Sequence, residues 1–521
     1  MHIGIDVGGT HTDAVVVDGR RVLAEVKTPT TADVTTGIVA GLRALMSAAA
    51  ADGAGISAVM IGTTHFTNAV VERRRLVSTA CVRLAMPATA ALPPMIDWPD
   101  DLRLALGGHV YLARGGHEVD GRAISPLDGD ELRRIAADIR GRDLRSIAIS
   151  SVFSPVNAEF ELQAAELFAA ELPGVAISLS HEIGRIGLLE RENATIMNAC
   201  LRPLATEIVV AFRAALAEFG IDAPVYFSQN DGTLMSVDYT ERYPVATFAS
   251  GPTNSMRGAA YLSGLEACAV VDIGGTTADV GVLQHGFPRE AAIAVDIGGV
   301  RTNFRMPDVL SLGIGGGSLV DADRAEVGPR SVGYELPSRA LVFGGDTLTA
   351  TDVAVAAGRA EIGDPARVAG LDRGLVERTL TRIEQRIADV VDRMKTSRDP
   401  IPVVVVGGGC VLLGDDLPGA SELIKPPHFA VANALGAAIG QVGGEVDRIF
   451  ALDELSREEA LAEARRDATE RAIDAGAGRD TIRIVDVDEV PLAYLPGSAT
   501  RIRIKAVGDL EVGRETVARV H

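Results

Sequence analysis

The chain has 521 residues, too many for one ordinary domain, and 47% of them are hydrophobic, enough for more than one large core. Its formal net charge of −20 argues against a nucleic-acid surface and reads as solubility. The four cysteines (Cys81, Cys200, Cys268, Cys410) lack metal-ligand spacing, no apolar run nears the ~20 residues of a membrane span, and the first residues carry neither a basic segment nor an apolar signal core, so a soluble cytoplasmic protein with reduced thiols is expected.

Residues 1–27 read as three strands, HIGIDV, AVVVDG and RVLAEVK. Over 33–50, Ile38, Leu42, Leu45 and Met46 recur at helical spacing. Residues 58–61 form a short buried strand leading into Gly62-Thr63-Thr64-His65-Phe66-Thr67-Asn68-Ala69. Strands and helices then alternate, with helices over 128–141 and 158–171 around a strand at 146–153, the pattern of sheets covered by helices. Residues 188–217 read as one or two helices interrupted near Pro203. A strand at 224–228 precedes the turn Gln229-Asn230-Asp231-Gly232, and a helix is expected to start after Gly251-Pro252. Residues 293–350 are rich in Gly and poor in periodic segments. A long helix spans 372–395, a buried strand 401–406 runs into Gly407-Gly408-Gly409, and a helix follows over 430–441. The end reads as an acidic helix at 453–475 and strands at 480–486 and 501–506.

Two segments are near-copies: Ile5-Asp6-Val7-Gly8-Gly9-Thr10-His11-Thr12-Asp13-Ala14-Val15 and Asp272-Ile273-Gly274-Gly275-Thr276-Thr277-Ala278-Asp279-Val280. Each has an Asp after an apolar run, a Gly-Gly-Thr turn, a second Asp and another apolar run, which predicts strand, tight turn, returning strand. A dinucleotide-binding GxGxxG leads into a helix. Here the strand patterns AVVV and VGVL follow, and no G-x-x-x-x-G-K-[ST] occurs. The turns offer backbone N–H groups and Thr hydroxyls to phosphate oxygens, and each leading Asp is placed for a hydrated cation. Singly, each could be a plain hairpin; as a distant pair they predict two related domains facing one polyphosphate.

The pattern resembles the actin-like ATPase superfamily, with its two phosphate elements at Asp6–Thr12 and Asp272–Thr277 and its adenosine element at 406–409. The resemblance implies an α/β, two-lobed, ribonuclease H-like fold with duplicated strand–turn–strand phosphate loops. It implies ATP cradled by Gly8, Gly9, Thr10, His11, Thr12, Gly274, Gly275, Thr276 and Thr277. Gly407, Gly408 and Gly409 would lie against the adenosine. Mg²⁺ would be held by Asp6 and Asp272, with Asp272 the choice if a base is needed.

Further peptides resemble the hydantoinase/oxoprolinase family, A-type (ATP-binding) subunit: residues 61–69, Ser180-His181-Glu182-Ile183, Glu190-Arg191-Glu192-Asn193-Ala194-Thr195, Ser250-Gly251-Pro252 and the second phosphate turn. The Gly-rich run 313–318 and the Thr349–Asp352 segment match as well. Residues 229–232 stand where the family has an Asn-Gly-Gly turn, and a short tail is expected in place of the long C-terminal domain of its larger members. The resemblance implies an ATP-dependent cyclic-amide hydrolase subunit that phosphorylates the carbonyl of a hydantoin or 5-oxoproline-like lactam. A B-type partner subunit, an oligomer and no nucleic-acid or membrane partner are expected. The alternatives are a chaperone-like reactivating ATPase, a small-molecule kinase and the ATP subunit of an acetone-carboxylase-like complex.

Within this frame Thr63, Thr64, His65, Thr67 and Asn68 line the substrate side, or Thr67 or Asn68 caps the following helix. Asp346 and Asp352 fit helix-start chemistry, and Glu190, Arg191 and Glu192 read as a solvated helix face. The expected organisation is an N-terminal lobe at 1–249, a second lobe at 250–445 and a short tail at 446–521.

Overall fold

The computed structural model describes residues 1–8, 11–19, 21–29, 34–49, 53–291, 294–453, 455–492 and 498–511. The first strand, His2–Val7, runs antiparallel to His11–Asp18 with Asp6 opposite Asp13, and that strand pairs with Arg21–Pro29. On its other side His2–Val7 runs parallel to Ala58–Thr63, which runs parallel to Val225–Ser228. The second copy repeats this. Cys268–Ile273 is antiparallel to Ala278–Gln284 with Asp272 opposite Asp279, and parallel to Ile401–Val406, which pairs in parallel with Ala420–Ile424. Counted within each copy, both sheets have the strand order third, second, first, fourth, fifth. This duplicated mixed sheet is the two-lobed actin-like fold that the paired motifs predict.

Each sheet has its own apolar layer. Ile3, Ile5, Val7, Ile38, Leu42 and Phe66 belong to the first core, and Val271, Ile273, Val280, Ile383, Ile387 and Val405 to the second. The predicted stripe Ile38, Leu42, Leu45 and Met46 is buried on the helix Val34–Ala49. A separate sheet of four parallel-paired strands, His109–Arg114, Thr79–Met86, Ser146–Ser151 and Ala176–Leu179, interrupts the first lobe.

Three findings differ from the sequence reading. The helix Leu188–Glu218 is continuous and carries Pro203 inside it. Arg191 and Glu192 are not a solvated face: they are 0% and 2% exposed. Glu192 accepts from Arg83 Nε at 2.7 Å and from Ser150 Oγ, and Arg191 donates to Ser151 O at 2.6 Å and Ser180 Oγ at 2.9 Å. Third, the strand Gln441–Phe450 replaces the end of an expected helix, which stops at Ala438. With Thr500–Asp509 and Arg483–Pro491 it extends the first sheet, through Thr233–Ser236, to nine strands.

Two helices join the halves. Ser250–Ser263 and Ala432–Ala438 touch backbone to backbone: a Cβ on Gly258 would lie 1.9 Å from Ala432 O, and one on Gly436 1.8 Å from Asn254 O. Among the described residues no helix is long and apolar enough to cross a membrane.

Candidate nucleotide and substrate site

Both turns close with the same bond. Gly8 N–H donates to His11 O at 3.0 Å, and Gly274 N–H to Thr277 O at 2.9 Å. Gly9 and Thr10 lie outside the described residues. His11 is half-buried; burial and Lys27 push its imidazole pKa down, against a smaller upward pull from Asp13. Thr12 is 1% exposed, its methyl near Gly41, so its side chain sits under the turn. The second turn has a backing loop: Gly316 N–H donates to Gly274 O at 3.0 Å and Gly317 N–H to Gly275 O at 2.7 Å. Thr276 is half-buried and Thr277 exposed.

The leading aspartates meet on one helix. Asn254 Nδ2 donates to Asp6 Oδ1 at 3.3 Å, and the next residue, Ser255, donates its hydroxyl to Asp272 Oδ2 at 2.6 Å. Asn433 on the other joining helix donates to Asp6 at 2.9 Å and to Asp13 at 2.8 Å. Lys27 Nζ grips both Asp13 oxygens at 2.7 and 2.8 Å. Asp279 accepts from Ser311. Each leading Asp also abuts a glycine. A Cβ on Gly62 would lie 2.2 Å from Asp6 Oδ1, and one on Gly407, whose φ is +85°, 2.3 Å from Asp272 Oδ1.

Burial sets the electrostatics. It raises the Asp6 carboxyl to about 6, helped by Asp13 and opposed by the two Asn donors. Burial also raises Asp279 to about 6 and Asp272 in the same direction, with Ser311 and Ser255 pulling each back. Four carboxylates with one bonded lysine form an anionic cluster, where a polyphosphate would need accompanying cations. That donor set fits a divalent ion. Among the described residues no three His, Cys, Asp or Glu side chains are grouped to hold a metal by themselves, so phosphate oxygens or water would complete its shell.

Gly407–Gly409 lies against the end of the second hairpin, where Gly409 N–H donates to Ile273 O at 2.7 Å and Gly408 faces open space. Thr63 pairs with Val7, so the Thr63–Asn68 segment leaves the sheet beside the first turn. The helix His65–Glu72 begins there with Thr64 at its N-cap, without a side-chain cap bond, and Thr67 and Asn68 lie inside it. Thr64 instead donates its hydroxyl to Val7 O at 3.2 Å. Asp352 is a buried capping-box residue bonded to Thr349, and Asp346 is on the surface beside Thr347.

Asp13, Asp279, Lys27, Asn254, Ser255 and Asn433 were not singled out from the sequence. For the two aspartates a signal existed, since both copies hold a second Asp at the same spacing. Lys27 and Asn433 come from segments with no motif, and Asn254 and Ser255 lie just after Ser250-Gly251-Pro252, which marks a helix start but not a carboxylate partner.

The family model described as hydantoinase/oxoprolinase N-terminal region matches residues 2–172, and the hydantoinase/oxoprolinase model matches residues 191–394. The chain is 28% identical over 465 residues to the caprolactamase subunit alpha of Pseudomonas jessenii, covering 84% of this chain and 65% of that protein. It is 27% identical over 401 residues to the acetophenone carboxylase gamma subunit of Aromatoleum aromaticum, covering 68% and 53%. It thus spans less than two thirds of these relatives' lengths. Among solved structures, the ATP-dependent caprolactamase from Pseudomonas jessenii superposes with a TM-score of 0.78 at 21% identity, over 97% of this chain and 87% of that one. Nucleotide-free acetone carboxylase gives 0.69 at 18% identity, over 99% and 88%. The chain belongs to the hydantoinase/oxoprolinase family.

Proposed function

We propose that this chain is the ATP-using subunit of an enzyme that activates a cyclic amide for ring opening. The observation that carries the reading is the convergence of Asp6 and Asp272 on adjacent residues of one helix, Asn254 and Ser255, which turns both phosphate hairpins toward one cleft. Gly8, His11 and Gly274–Thr277, with Gly9 and Thr10, would receive the phosphates, and Gly407–Gly409 the adenosine. Asp6 and Asp272 would hold magnesium, which when bound offsets the charge of the triphosphate and the four carboxylates.

A lactam resists water because nitrogen donates into its carbonyl. Transfer of the γ-phosphoryl group removes that resistance: the carbonyl oxygen bonds to phosphorus, the bond to ADP breaks, and the amide N–H proton leaves. The chain's part is to align the acceptor oxygen with phosphorus and to exclude competing water. Thr63–Asn68, beside the first turn, supplies the substrate wall. A B-type partner subunit, in this reading, brings the water that opens the ring.

The similarity to acetophenone and acetone carboxylase subunits favours a second acceptor, the enol of a ketone. It presents the same nucleophile, a carbonyl-derived oxygen. ADP release with the partner subunit, measured across hydantoins, 5-oxoproline, larger lactams and ketones, separates the two. Stimulation by lactams is expected; stimulation by ketones alone moves the assignment to carboxylase chemistry, and none by either overturns small-molecule activation.

A further inference from the structure

We propose that His65 serves the substrate as a neutral imidazole whose Nε2–H donates to the substrate's carbonyl oxygen, and that it moves no proton. The inference rests on the reading of Thr63–Asn68 as the substrate wall and gives one residue of that wall a defined chemical task.

The hydrogens around Thr63 assign the tautomer. His65 backbone N–H donates to Thr63 Oγ1 at 3.2 Å, and Oγ1 lies 2.5 Å from His65 Nδ1. A hydroxyl has one proton to give. Thr63 is 2% exposed, and its Oγ1 has no other partner among the described residues. Were Nδ1 protonated, two N–H groups would point at Oγ1 and the hydroxyl proton would be sealed in without an acceptor. With the hydroxyl donating to Nδ1, every group is satisfied. The ring's own hydrogen then sits on Nε2.

No described residue bonds Nε2, and His65 is partly exposed, so this donor is left for a ligand. Its place is the first residue of the helix His65–Glu72, one residue after Thr64, which is tied to Val7 at the root of the first phosphate turn. The surroundings keep the ring uncharged. Burial and the charge of Arg75, itself paired with Glu207, lower its pKa to about 4, and a helix N-terminus also disfavours imidazolium. An uncharged donor suits a carbonyl oxygen that must also attack phosphorus. One lone pair accepts from Nε2–H and is fixed in direction; the other is left free for the transfer. A ligand without an acceptor oxygen at that point leaves the donor unpaired, so the residue also selects for C=O.

The test uses the full chain with its partner subunit. In ¹⁵N-histidine-labelled protein, with His65→Asn assigning the signal, the two-bond correlations of His65 should show an Nε2–H neutral ring, unchanged between about pH 6 and pH 8. Thr63→Val should disturb that pattern. In lactam-stimulated ADP release, His65→Gln, whose amide N–H reaches the Nε2 position, should stay within about tenfold of wild type, while His65→Ala and His65→Asn fall by more than about 100-fold. A nucleotide-induced rise in melting temperature shows that each variant is folded. An Nδ1–H or imidazolium signature at pH 7 overturns the inference, as does a His65→Gln enzyme as inactive as His65→Ala. If no lactam stimulates the wild type, the substrate reading has failed, and the spectrum alone still decides the protonation state.

Discussion

Asp6 and Asp272 hold equivalent places in two copies of one hairpin, yet their surroundings differ. Asp6 is 3% exposed and braced by two Asn amides, and its neighbour Asp13 is neutralised by Lys27. Asp272 and Asp279 are partly exposed and, among the described residues, accept hydrogen bonds from the hydroxyls of Ser255 and Ser311 alone. The first pair is thus the more tightly held and the second the more open. The motifs made the leading aspartates legible, because a strand–turn–strand repeat is a local pattern. Lys27, Asn254, Ser255 and Asn433 were not legible, because their roles exist only once distant segments meet. Glu192 is a related case: a charged triplet on a helix looks solvated until a buried Arg83 arrives from the strand Thr79–Met86. Glu192→Ala should strand that guanidinium and cost about 3–5 kcal/mol in denaturant unfolding; a loss below about 1 kcal/mol would mean the pair is not buried in solution.

At the scale of elements, the strand Gln441–Phe450 shows why some of the fold was hidden. Gly443-Gly444 interrupts the apolar alternation that marks a strand, and the packing requires a glycine there: a Cβ on Gly444 would lie 2.3 Å from Ala468 O. The helix Arg457–Asp474 sits on that face through Ala460, Ala464, Ala468 and Ala472, and its other residues form the charged surface that the acidic run predicts. The neighbouring strand Thr500–Asp509 is pinned by Lys505, whose Nζ lies 2.9 Å from Asp231 Oδ2. Burial alone would raise the Asp231 carboxyl, but Lys505 and Arg305 outweigh it and hold the carboxyl well below the usual range. The stabilisation from an Asp depressed in this way is present above its unfolded pKa of about 3.9 and is lost as pH falls toward the folded value. Melting temperature should therefore drop steeply below about pH 4, and Asp231→Asn should lower it at neutral pH while flattening that drop. An unchanged acid profile in Asp231→Asn would remove the pair from the account.

Across the whole molecule, the lobes are interlocked as well as duplicated. The excursion from the second sheet through Val295–Ile297 and Val300–Thr302 places Ile297, Val300, Phe304 and Met306 in the first lobe's core. Asn193 Nδ2 donates to Arg301 O at 2.9 Å, and Asn303 Nδ2 to Gly187 O at 3.1 Å, across the same boundary. The strands that close the chain return to the first sheet. Interlocked this way, the first lobe lacks a complete core without residues from the second half of the chain. The claim that both hairpins serve one ATP site for lactam activation is tested most directly by ADP release with the partner subunit and a lactam, in wild type and Asp272→Asn. Asn can still accept from Ser255, so the fold and melting temperature should hold. Turnover should fall by at least about 100-fold, about 2.7 kcal/mol of barrier. Lactam-stimulated turnover near wild type in Asp272→Asn would contradict it.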